Sequence, residues 1–453
     1  MASASPEQEK PFHLRGNYAP VEGELTVTDL EVEGAIPSDL SGRYLRNGSN
    51  PISGESEHWF FGDGMIHGVE IQNGRPTWYK NRYVKTPLLE TPDASRISGE
   101  GLVDHRISYA NTHIISHAGR ILALEEGAFP YELTKDLDTV GYHDFDGKLT
   151  TAMTAHPRIC PDTGELLFFA AQPIPPHLTY HRVDADGKLV QTEEIQVKGG
   201  TMMHDFNVTR NYVVFMDLPV VFDFESLAKG GDPLHWDESY GARLGVMPRT
   251  GSNADVHWFD IDPCYVFHPV NAYEREGKIV LDVARYEYMW RESMNDIPAP
   301  KVHHWEIDLE GGSVSESQVD DRFAEFGRIA PGRVGKKNRY GYLVSTRPGV
   351  ENVTIGDESQ GGSVLKYDFE SGSRSEHDFG DGVTPGETLF APAAGGSAED
   401  DGYLMGYAYN KQEDRSEFFI LDATDVAAKP IARIKLPRRV PFGFHGSWIP
   451  DPS

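Results

Sequence analysis

Cysteine is nearly absent: Cys160 and Cys264 are the only two among 453 residues. No disulfide framework can be built from them, and such a chain suits a reducing compartment. Long apolar runs are missing as well. No stretch reaches the ~18 consecutive apolar residues of a spanning helix. Residues 1–10 are polar and acidic, unlike the apolar core of a secretory signal. The expectation is a cytoplasmic protein. Basic charge is scarce: 42 Lys and Arg against 70 Asp and Glu leave a formal net charge of −28. A chain without a basic face excludes nucleic acid as a partner. It also disfavours electrostatic docking on anionic lipid, while leaving peripheral hydrophobic contact with a membrane open. Helical periodicity is short too, confined to 84–100 and 222–244 and nowhere longer than about three turns.

What the chain has instead is turn chemistry. There are 46 Gly and 30 Pro, spaced between short β-branched and aromatic runs, which favours many strands joined by tight turns. The runs at 121–124, 166–169, 340–344 and 417–421 alternate with Asp/Gly turns such as Asp144-Phe145-Asp146-Gly147 and Asp184-Ala185-Asp186-Gly187. Residues 43–46 read as a strand entering an Asn47-Gly48 turn, and 58–69 as an aromatic strand and turn. Residues 1–14 are expected to be a disordered lead, and 15–453 one domain with insertions.

Four histidines sit in matching settings. Met203-His204-Asp205-Phe206 precedes Tyr212-Val213-Val214-Phe215, a run suited to a buried strand. His156 lies in Thr154-Ala155-His156-Pro157, His268 in Phe267-His268-Pro269-Val270, and His445 in Phe444-His445-Gly446. A single buried His is usually a satisfied core residue, but four in similar settings point to a shared metal, since imidazole is the commonest metal ligand. His204 follows His156 by 48 residues and His268 follows His204 by 64, close to the ~40–50 residues of a propeller blade with loops. Two glutamates, Glu325 and Glu387, fall at the steps between His268 and His445. The spacing suggests six or seven blades with polar residues aimed at the axis; a pair of β-sandwiches remains compatible with the composition. Metal-bound imidazoles usually donate their second N–H to a carboxylate or carbonyl, a role open to Glu325, Glu387 and Glu126. The donor set alone allows Fe, Cu, Zn or Ni.

The residues also carry a resemblance. Gly42-Arg43-Tyr44-Leu45-Arg46-Asn47-Gly48, Gly62-Asp63-Gly64-Met65-Ile66-His67, Thr154-Ala155-His156-Pro157, Met203-His204-Asp205-Phe206, Phe267-His268-Pro269-Val270-Asn271-Ala272 and Gly443-Phe444-His445-Gly446 resemble, in this order, the motifs of the carotenoid cleavage oxygenases, along about 15–450. The resemblance implies an all-β, seven-bladed β-propeller capped by loops and short helices. It implies one Fe(2+) per chain on His156, His204, His268 and His445, which are then the catalytic set. It further implies Glu126 holding His204, Glu325 holding His268 and Glu387 holding His445, with His156 left without a carboxylate. The reaction implied is cleavage of a C=C bond of a carotenoid or apocarotenoid by O2 into two carbonyl products, in a tunnel for which Trp59, Phe60, Phe61, Phe267 and Phe444 are candidate walls.

The sequence also departs from part of that family. Members that cleave hydroxystilbenes resemble one another in a Lys just before the first of these glutamates and a Tyr some thirty residues earlier. Here the Lys position is Glu125, and no Tyr occurs between Tyr83 and Tyr109. The expectation is therefore a carotenoid or apocarotenoid substrate. Stilbenes or phenylpropenes are the alternative, and a non-enzymatic propeller with structural histidines is a third.

Overall fold

Tyr212–Asp217, the run singled out beside His204, is a strand buried from Val213 onward. It belongs to a computed structural model that describes residues 10–91, 94–97, 103–350 and 361–451. The chain is a seven-bladed β-propeller, each blade a sheet of four or more strands. Two α-helices occur among the described residues, Pro87–Glu90 and Phe224–Ala228, inside the two segments where short helices were expected. No helix among the described residues is long and apolar enough to cross a membrane.

The chain divides into two compact units, one of residues 1–143, 342–367 and 373–453, the other of 144–341 and 368–372. In the first, the two ends of the chain are stitched into shared sheets. The last strand, Gly446–Pro450, pairs with Gly42–Ser49, setting Gly446 opposite Arg46. Val32–Gly34 pairs with Ala432–Lys435. Tyr44, Val69, Tyr79, Tyr407, Phe418 and Ile420 form one core cluster behind these strands. Burying each large apolar side chain there contributes about 1.5–3 kcal/mol.

In the second unit the blades follow one another along the chain: Arg158–Ile159 to Leu189–Ile195, Asn207–Val208 to His257–Ile261, and Tyr265–Arg275 to Ser313–Phe323. The central strand Leu166–Ala171 is buried almost throughout, whereas the outer strand Leu189–Ile195 largely alternates between exposed and covered side chains. That is the pattern of a strand covered on both faces beside one wetted on one face. Between Tyr212–Asp217 and Ala242–Pro248 the chain inserts the hairpin Val220–Phe222/Leu234–Trp236 and the helix Phe224–Ala228.

Three expectations meet a different structure. Asn47-Gly48 is no turn: both lie inside the strand Gly42–Ser49, opposite Ile66 and Met65. Asn47 is buried and spends its amide on the carbonyls of Ala110 and His113, while a Cβ on Gly48 would stand 2.9 Å from Gly443 Cα. The pair is there for close backbone approach, which only Gly permits. The aromatic segment 58–63 is a series of turns and bends, and its strand begins at Gly64. Of the expected N-terminal lead, 1–9 lie outside the described residues, and Phe12–Leu14 forms a 3-10 turn with His13 buried.

Candidate metal centre

Each of the four histidines lies at or just before a strand on the edge of its sheet. His156 precedes Arg158–Ile159, His204 precedes Asn207–Val208, His268 is within Tyr265–Arg275, and His445 precedes Gly446–Pro450. The first strand of a blade is the one that lines a propeller's axis, so ligands there converge without long side chains. Each offers one ring nitrogen, and the four atoms lie within 4.8 Å of one another.

Local backbone devices aim the rings. The Thr154 hydroxyl accepts the His156 N–H at 3.1 Å and reaches the His204 carbonyl at 3.4 Å. His268 falls within the first of two successive shifts in pairing register, Val266/Pro269 and Pro269/Asn271. Pro269 has no N–H to give to a ladder, and the irregularity turns His268 out of the sheet's alternation. The His445 N–H donates to the Thr112 carbonyl at 2.9 Å, and its carbonyl accepts from Asn47 N–H at 3.0 Å.

Glutamate carboxylates stand against two of the four rings. His268 Nδ1 lies 2.6 Å from Glu325 Oε2, and His445 Nδ1 lies 2.8 Å from Glu387 Oε1. Glu325 accepts two further bonds, one from the Tyr286 hydroxyl at 3.0 Å and one from the Phe326 N–H. Phe326 takes a φ of 56°, which turns its amide back onto the carboxylate and its ring against His268, 5.1 Å between centroids. Burial and the charge of Glu325 push the Tyr286 hydroxyl far above its ordinary pKa, so it stays a donor. Glu387 takes the Gly446 N–H at 2.8 Å on its other oxygen. Glu126 follows the strand Arg120–Leu124 in the first unit, and its assignment to His204 stays a proposal.

These contacts permit a test of whether a metal fits. With Nδ1 donating to Glu325, the Nε2 of His268 carries a lone pair. It faces the Nε2 of His204 at 3.2 Å. Two nitrogens at about 2.1 Å from one metal, at right angles, stand about 3 Å apart. Four imidazoles grouped this closely, two of them with Nδ1 anchored outward on a carboxylate, therefore suit a divalent d-block ion.

Sequence reasoning missed three residues here. Asp205 Oδ2 lies 3.5 Å from His156 Nδ1 and is bonded by Arg158; burial raises its pKa while Arg158 pulls it down. Its signal was position, directly after one ligand, with Arg158 two residues after another. Tyr286 and Phe326 had no signal, because their roles follow from pairing across the fold.

The aromatic residues fall into separate groups. Trp59 and Phe60 pack on Phe444 at 4.8 and 5.8 Å between centroids, with Tyr18 joining Trp59 to Phe442. Phe267 stands edge-on to His204 at 4.9 Å and contacts Trp290 at 5.9 Å; the Trp290 carbonyl accepts from Trp236 N–H of the inserted hairpin. Phe61 is 39% exposed and stacks on Tyr109.

Known proteins are similar to this chain in sequence and fold. The profile of the retinal pigment epithelial membrane protein family matches residues 18–450. A carotenoid cleavage oxygenase of Mycobacterium tuberculosis is 39% identical, over 99% of this chain and 100% of its own length. Among solved structures, a lignostilbene dioxygenase of Pseudomonas brassicacearum superposes with a TM-score of 0.87 at 29% identity, covering 99% of this chain and 100% of that one. An apocarotenoid oxygenase of Synechocystis gives 0.86 at 28% identity, covering 96% and 98%.

Proposed function

Because this chain belongs to the family of the retinal pigment epithelial membrane protein and the carotenoid cleavage oxygenases, we propose that it is a non-haem Fe(2+) dioxygenase that cleaves a C=C bond of a carotenoid or apocarotenoid. The convergence of four imidazole nitrogens within 4.8 Å carries this reading. His156, His204, His268 and His445 would hold the iron, which supplies O2 activation beside the bound alkene. The overall reaction balances without an outside reductant: the C=C breaks, and each carbon takes one atom of O2 to become a carbonyl. The partners are thus an apolar alkene and O2.

The chain's own contribution is placement. Glu325 and Glu387 hold the Nδ1 protons of His268 and His445, which fixes both tautomers and strengthens both donors. Four neutral ligands leave the ion its full positive charge. Phe267 beside His204, with Trp290 packed on Phe267, and Trp59 with Phe444 on the His445 loop, are proposed to line the substrate's path and keep water from it.

A second reading, cleavage of stilbene or phenylpropene alkenes by the same chemistry, draws support from the likeness to the lignostilbene dioxygenase. Iron analysis of anaerobically purified protein, followed by incubation with carotenoids, apocarotenoids and stilbenes and identification of the aldehydes, separates the readings. Aldehydes from polyenes support the first. A protein that retains no iron and cleaves nothing would overturn both.

A further inference from the structure

The family resemblance leaves His156 without an acidic partner, yet a carboxylate stands beside it. Asp205 Oδ2 lies 3.5 Å from His156 Nδ1, and the two side chains are 2% and 3% exposed. A bare carboxylate at that depth is costly unless it is paired. Here Arg158 pairs it: Nη2 donates to Oδ1 at 2.8 Å and to Oδ2 at 2.7 Å. The Phe206 N–H adds a third bond, to Oδ1, at 2.6 Å. The Arg158 side chain is 19% exposed, so the positive partner lies toward water and the negative one toward the imidazole.

The chain positions make this more than local charge compensation. Arg158 follows His156 by two residues, and Asp205 directly follows His204, so the ion pair ties together the segments that carry two neighbouring ligands. The Thr154 hydroxyl repeats the tie, touching the His156 N–H and the His204 carbonyl. The centroids of His156 and His204 stand 4.4 Å apart, against 5.1 Å from either ring to His268. The tightest ring pair of the three is the one with the double tie.

We propose that Asp205, clamped by Arg158, is the positioning residue of His156: it faces the ring's Nδ1–H, turns Nε2 toward the metal and fixes the spacing of His156 and His204. The inference rests on the metal reading above. It differs from the Glu325 and Glu387 contacts in kind, since those carboxylates approach their imidazoles to 2.6 and 2.8 Å while Asp205 stands farther back and shares its charge with an arginine.

Titrating the metal-free protein with Co(2+), followed by its visible d–d absorption, tests the proposal alongside thermal unfolding of the metal-free form. Asp205→Asn should unfold like the parent yet bind Co(2+) about 10–100-fold more weakly, with shifted bands. Asp205→Glu should recover part of the affinity. Arg158→Lys, which keeps a positive charge on the carboxylate but loses the planar clamp, should weaken binding less and also shift the bands; it carries the test if Asp205→Asn does not fold. If the parent binds Co(2+) and these variants match it in affinity and spectrum, Asp205 is only a core ion-pair member and the proposal fails. If the parent and a His156→Ala control alike bind no Co(2+), the metal reading falls and takes this inference with it.

Discussion

Glu387 divides its carboxylate between the His445 ring and the backbone that follows it: Oε1 lies 2.8 Å from His445 Nδ1, and Oε2 accepts the Gly446 N–H at 2.8 Å. The acid thus sets both the ring's tautomer and the start of the closing strand Gly446–Pro450. Glu387→Gln keeps the size and one acceptor but removes the charge. Iron affinity or turnover should fall about 10–100-fold, while the midpoint of thermal unfolding shifts little. Unchanged kinetics in that variant would make Glu387 a mere structural contact.

His204 contributes the nitrogen that faces His268 Nε2 at 3.2 Å. His204→Ala takes away that donor and leaves Asp205, Phe206 and the strand Asn207–Val208 with their backbone bonds. The variant should fold, as read by near-ultraviolet circular dichroism, but lose copurified iron and all activity. Full iron occupancy in the alanine form would remove His204 from the ligand set.

How much of this was legible beforehand depends on the range of each interaction. The four histidines were readable because each sits in a short local motif, and Glu325 and Glu387 because blade spacing repeats along the chain. Asn47-Gly48 misled, since its composition signals a hairpin whereas its cause is Gly443, 395 residues further on, packed against Gly48. The segment 58–63 misled for a related reason: its aromatic rings pack on Phe444 and Tyr109 rather than on a sheet. Tyr286 reaches Glu325 only through pairing across blades, which no window of sequence contains; Asp205 had a signal in its place directly after His204, but its neighbours Arg158 and His156 come from another loop.

His181 gives the fold an acid-sensitive point away from the metal centre. Its ring is buried between the hydroxyls of Thr151, at 2.9 Å, and Thr192, at 3.0 Å, and burial lowers its pKa from 6.5 to about 3. The unfolded chain therefore binds this proton more readily than the folded one between those values. Stability is complete above pH 6.5 and declines as pH falls toward 3, by about 1.4 kcal/mol per unit. At pH 5 the loss from this one group is about 2 kcal/mol. In His181→Asn the decline of the urea midpoint between pH 7 and pH 5 should be shallower than in the parent. Identical slopes would show that another group governs the acid response.

The choice of substrate turns on Glu125. In family members that cleave hydroxystilbenes a Lys occupies this place, beside a Tyr some thirty residues earlier, and together they hold and deprotonate the phenol. Here the Glu125 carboxylate is already occupied: Arg96 Nη2 donates to its oxygens at 2.6 and 2.8 Å, the Ser108 hydroxyl at 2.9 Å and the Tyr109 N–H at 2.8 Å. An acid at this place would by itself repel a phenolate, but Arg96 neutralises most of that charge. Discrimination would then come from the lack of a Lys at position 125 and of a Tyr between Tyr83 and Tyr109. Losing such proton transfer is worth about 100-fold or more in rate, whereas a long polyene is electron-rich without it. Apocarotenoids should therefore be cleaved at least about 100-fold faster than resveratrol at equal concentration, measured as aldehyde released. Glu125→Lys alone should not rescue resveratrol, because the partner Tyr is absent and Arg96 is left facing a like charge. Rapid conversion of resveratrol with apocarotenoids untouched would reverse the ranking and make the stilbene reading the correct one.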